Sequence, residues 1–272
     1  LKINFYEAVS VGHQLIVSLW DDEHAGNRPG YMIPLLEWGP EDPSTATANN
    51  PAKKGEFNHY WRTMSLYFAL LKTAGFQEPP SLKVPIDFKA PVKKALQDDP
   101  NVSADVDASG SFSTKQPIAK LPSIYRAIAS LWATQRSNTA MFGTTDGEPY
   151  FNDLEQKLLA IIRGDNGWTG PNYIRPFGKK FHDVKGSNIF AEISTLARSG
   201  KSVFIEMARA NELVRSILSE RICQRVLSDM MNEFTDGTLG DRFVVLYFEE
   251  AHTLFRRDDK DLNSIYNKLA KE

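Results

Sequence analysis

Apolar residues recur at spacings of three and four along much of the chain, the period of a helix with one buried face. At three places they collect instead into short dense runs. The first is "QLIVSLW", Gln14 to Trp20, which predicts a buried strand followed by the acidic turn "DDEHAGN". A polar stretch from Gly39 to Glu56, rich in Pro, Gly, Asn, Ser and Thr, has no period and predicts a loop. A dense helix follows from Phe57 to Ala74, with Trp61, Met64, Tyr67, Phe68 and Leu71 on one face and Gly75 suited to the position after its end. Asp98 to Pro117 reads as a second polar loop. From Pro122 to Arg136, Tyr125, Ile128, Leu131 and Trp132 again repeat at helical spacing. Another helix is predicted to start at Asn152, with Glu155 as its capping-box partner and Leu154, Leu158, Ile161 and Ile162 as its stripe. "RGDNGWTGPN" breaks it, and no internal repeat is visible.

The last third changes pattern. A helix carrying Ile189, Phe190, Ile193, Leu196 and Ala197 stops at Gly200, and "SVFIEM", Ser202 to Met207, predicts a strand. Asn211 to Phe234 predicts a long helix with Leu213, Ile217, Ile222, Val226, Met230 and Phe234 facing inward. "TDGTLGD" is a turn, and Val244 to Phe248 is a second strand. Strand, helix, strand at this spacing predicts a parallel pair, and an unbroken apolar run suits a strand covered on both faces. The expected fold class is therefore α/β.

Composition narrows the picture. With 272 residues, 42% of them hydrophobic, the chain can bury a large core as one domain or two. The net charge of -2 gives no global attraction to nucleic acid, so any such contact would come from local loops or from assembly. Cys223 is the only cysteine, which excludes an internal disulfide and fits a reducing, cytoplasmic compartment. No apolar run approaches the ~20 residues of a membrane helix and no signal peptide is evident, so no membrane association is expected. The chain starts at Leu1 and ends at Glu272 inside a helical pattern, so a fragment of a longer protein is expected.

The second strand raises a chemical question, because it runs directly into Glu249 and Glu250. In open α/β sheets ligands sit beyond the carboxyl ends of the strands, and charge there needs a partner. Mg²⁺ carrying a nucleotide is one, since it is held by one or two carboxylates together with phosphate oxygens. The first acid then serves the metal's water shell, and the second polarises the water that attacks the γ-phosphate. On the pattern alone, a strand followed by a charged surface turn explains the residues equally well.

"VVLYFEEAHTLF" followed by "DDKDLNSIYNKLAKE" resembles the HerA branch of the HerA/FtsK superfamily, as does "LARSGKSVFIEMARANELVRSILSERICQRVLSDMM". The close resemblance covers about Ile189 to Glu272. It implies a RecA-like parallel sheet core with a largely helical insertion. It also implies ATP and Mg²⁺ as cofactors, DNA as partner, a homo-oligomer, most often a hexamer, and a nuclease or other effector subunit. Such proteins act in DNA end processing or in defence against phage. Glu249 takes the Mg²⁺ position, Glu250 that of the catalytic glutamate, and His252 completes the "EEAH" form. DEAH helicases share "EAH", but the flanking sequence fits HerA better.

On this reading residues 1–38 are a strand segment of the ATPase core, 39–188 a mostly helical insertion, and 189–272 the core segment with the two acids. "RSGKS", Arg198 to Ser202, imitates the tail of a P-loop. It lacks the first glycine, since position 195 is Thr195, and it runs from helix to strand where a P-loop runs from strand to helix. A helix cap leading into a strand explains it. The P-loop is then expected upstream of Leu1, with "DDEHAG" as a loose counterpart of the acidic turn after the family's second strand. The alternative is a different N-terminal module on a non-catalytic platform that scaffolds an effector. Asp21, Asp22, Glu23 and His24 read as a solvated turn rather than a metal site, and Cys223 as a core thiol. Arg175, Lys179 and Lys180 are candidates for a phosphate backbone, and Arg256 and Arg257 for an arginine finger, with solvated charge as the plainer reading of both.

Overall fold

The computed structural model describes residues 2–43, 54–143, 149–164, 170–186, 189–207 and 212–248. They fall into two compact units, residues 2–185 and residues 186–272.

The first unit is built around one helix. Its elements are α1 (Val9–Glu23), α2 (Ile33–Leu36), α3 (Lys54–Thr73), β1 (Lys83–Pro85), α4 (Ala90–Asp98), β2 (Lys115–Pro117), α5 (Leu121–Gln135), α6 (Thr139–Phe142), α7 (Asp153–Arg163) and α8 (Arg175–Phe181). Every residue from Trp61 to Leu70 of α3 is buried, including Arg62, Thr63 and Ser65. The predicted stripe is thus one side of a helix enclosed all round, packed by α5, α7 and β1. Its polar residues are satisfied locally. Ser65 Oγ reaches Trp61 O at 2.7 Å, and Tyr125 Oη donates to Arg62 O at 3.0 Å. Helix α3 ends where expected: Gly75 takes a φ of 93°, and Arg175 Nε donates to Ala74 O at 3.1 Å, capping the helix terminus.

The predicted strand at Gln14–Trp20 lies inside α1. Val9, His13, Ile16 and Trp20 are buried, a spacing of three and four that the dense run "LIVSLW" obscures. Position 12 must be glycine-sized, because a Cβ there would meet the Phe5 ring at 2.7 Å. Phe5 belongs to an N-terminal segment stitched to the end of α8: Ile3 N–H donates to Phe181 O at 2.9 Å and Asp183 N–H to Ile3 O at 3.0 Å. The loop expected over Asp98–Pro117 contains β2, which pairs antiparallel with β1, Val84 opposite Gln116.

The second unit contains α9 (Ile189–Arg198) and α10 (Glu212–Thr235), packed together. Ser194 contacts Asp229, and Arg198, one turn on, contacts Glu233 one turn on from Asp229. The contacts advance together, so the helices run in the same sense. Val214, Ile217, Leu218, Ile222, Cys223 and Val226 bury the inner face of α10. Phe234, expected to join them, is instead 68% exposed.

The expected α/β class and RecA-like parallel sheet are not what the described residues form. The described residues are mostly helical, and their only sheet is the antiparallel pair β1–β2. Residues 202–207 and 242–248 carry no ladder. An apolar run favours an extended backbone, but a strand exists only when a neighbour takes up its N–H and C=O groups.

Candidate functional site

The run that leads to the two acids rises from a charged base. Helix α10 ends at Gly237, φ 69°, with Thr238 N–H returning to Glu233 O at 2.8 Å. Arg242 then ties the next segment down: Nε donates to Leu239 O at 2.9 Å, and Nη2 lies 3.2 Å from Glu233 Oε2. Glu233 also pairs with Arg198 of α9. Asp229 accepts from Ser194 Oγ at 2.8 Å and from Arg225 Nε at 2.9 Å. One carboxylate pair on α10 therefore fixes both α9 and the start of the 242–248 segment.

From that base the side chains alternate. Phe243, Val245 and Tyr247 are 81%, 77% and 86% exposed, while Val244, Leu246 and Phe248 are half-buried. Glu249 and Glu250 follow directly but lie outside the described residues, as do His252, Arg256 and Arg257.

The "RSGKS" stretch is a helix cap. Gly200 has a φ of 80°, and Lys201 N–H donates to Leu196 O at 3.1 Å, closing the end of α9. Residues 201–207, which follow it, form no ladder and leave Phe204 93% exposed.

Other sequence candidates are taken up by structure. Arg28 grips Asp21 through two hydrogen bonds, Nε to Oδ1 at 2.8 Å and Nη2 to Oδ2 at 2.5 Å, and holds that carboxyl below its ordinary pKa. His24 stacks on Trp20 with centroids 4.3 Å apart. Asp21, Asp22 and Glu23 thus form the last turn of α1, not the turn expected after a strand, and His24 is its C-cap. Arg175 caps α3, and Gly178 packs so closely that a Cβ there would meet the Phe76 ring at 2.7 Å. Lys179 and Lys180 are exposed. Burial pushes the Cys223 thiol up to about 11, which disfavours the thiolate.

Three polar clusters emerge that sequence reasoning did not assemble. The first surrounds Glu155, 1% exposed on α7. It accepts from Asn152 N–H at 2.7 Å, as the capping box requires, and also from Arg62 Nε at 3.1 Å and His59 Nδ1 at 2.9 Å. The Arg62 guanidinium lies 4.7 Å over the Tyr150 ring. The "N-x-x-E" spacing signals the cap, but not that its carboxylate balances a buried arginine 93 positions earlier.

The second is His182, whose Nδ1 accepts from Phe5 N–H at 3.2 Å and whose Nε2 donates to Gln77 O at 2.6 Å. These partners require a neutral ring, and burial lowers its pKa accordingly.

The third is the loop "DVDASGSFSTKQ", Asp105 to Gln116, whose acid and glycine spacing matches the first half of a calcium loop. The carboxylate of Asp105 is instead held by Lys120 Nζ at 2.6 Å and Lys83 Nζ at 2.8 Å. Gln116 stands where such a loop carries its closing glutamate, and its Nε2 donates to Asp105 O and Ser113 O, both at 2.9 Å. Asp107 accepts from Ser109 and Ser111 within the loop. The loop is satisfied by its own protein groups. Among the described residues no three His, Cys, Asp or Glu side chains gather as a metal site.

No protein-family model, curated protein or solved structure matches this chain.

Proposed function

We propose that the second unit serves ATP hydrolysis coupled to movement of DNA, as in HerA-type ATPases, with Glu249 and Glu250 as its working acids. The observation that carries this reading is the apolar run Val244–Phe248, which follows the Arg242–Glu233 anchor and in the sequence leads directly into Glu249 and Glu250. Carboxylates are hard oxygen donors and suit Mg²⁺, which when bound neutralises charge on the β- and γ-phosphates. Glu249 would hold the metal's water shell. Glu250 would accept a hydrogen bond from the attacking water and orient it toward the γ-phosphate. The 272 residues contain no credible P-loop, so phosphate grip has to come from another part of the working assembly. The lone buried Cys223 supports a reducing, cytoplasmic setting. Among the described residues no helix is long and apolar enough to cross a membrane.

The alternative is a platform that scaffolds a nuclease or other effector without turning over ATP. The exposed apolar run favours it to this extent, that such a surface suits binding as well as catalysis. ATPase rates in the assembled protein, with Mg²⁺ and DNA, separate the two. Glu250→Gln should slow hydrolysis by roughly a hundredfold or more while nucleotide still binds. Glu249→Gln should weaken Mg²⁺-dependent nucleotide binding as well. Wild-type turnover in Glu250→Gln would remove the enzymatic reading. The HerA resemblance also supports a ring, most often a hexamer. Mass measurement in solution with nucleotide and Mg²⁺ tests this, and a monomer at micromolar concentration would count against it.

A further inference from the structure

We draw no further inference here: the strongest candidate, the exposed apolar face of the segment 242–248 formed by Phe243, Val245 and Tyr247, carries nothing because nothing in the structure shows what covers it.

Discussion

His13 shows how a single buried side chain sets a response to pH. It sits on α1 against Trp38 and Tyr67, 4% exposed, with Nδ1 3.3 Å from Tyr67 Oη. Burial holds the Tyr67 phenol protonated, so it is the donor and the imidazole the acceptor. The same burial lowers the His13 pKa to about 4, against a smaller opposing pull from the Trp38 backbone. Between the ordinary histidine pKa near ~6.5 and that value, the unfolded chain binds a proton that the folded chain refuses. Stability is therefore complete above about pH 6.5 and falls as pH drops toward 4, by on the order of 3 kcal/mol in total. His182 is shifted the same way by burial and adds to the slope. Urea midpoints at pH 7 and pH 5 check this: His13→Phe should lose less stability over that interval than the parent. An equal loss in both would mean that His13 does not carry the effect.

At the scale of elements, the join between α3 and α7 concentrates the charge buried in the first unit. Glu155 at once closes the α7 capping box and neutralises Arg62, which is 6% exposed. Asn152→Ala removes only the cap and should cost about 1 kcal/mol. Glu155→Ala leaves Arg62 buried without its partner and should cost about 3–5 kcal/mol. Chemical denaturation of the two variants decides the point, since similar losses would show that the carboxylate acts as a cap alone. A steric counterpart lies at α8, where Gly178 faces the Phe76 ring. Gly178→Ala should lower the melting temperature, with a cost of roughly 1–3 kcal/mol from forcing the ring aside. An unchanged melting temperature would mean that Phe76 moves freely.

At the scale of the whole molecule, the two units differ in completeness. Residues 2–185 bury residues 61–70 of α3 on every side and pair the buried charge of Arg62 with Glu155. Expressed alone, they should give a helical circular-dichroism spectrum and one cooperative urea transition. A broad transition with dye-binding apolar surface would show that the second unit is needed to finish that core. The second unit packs α9 on α10 through a charged network but leaves Phe204, Phe243, Val245 and Tyr247 in water. Exposed apolar runs of this kind mark association surfaces, and this unit carries the proposed chemistry.

Helices bounded by local chemistry were legible in the sequence. Gly75 after α3, the Asn152–Glu155 box of α7 and the Gly200 cap of α9 each act within one turn of backbone, so spacing alone locates them. The apolar run into Glu249 and Glu250 is an equally local pattern, but the two acids lie outside the described residues. Pairing is not local. "QLIVSLW" and "VVLYF" are both dense and apolar, yet the first is helical in α1 and the second joins no ladder. Tertiary structure also decided that Glu155 meets Arg62, that Lys83 and Lys120 hold Asp105, and that His182 ties Phe5 to Gln77. Each of these depends on segments far apart in sequence meeting in a packed interior, where burial makes an unpaired charge or N–H costly enough to choose its partner.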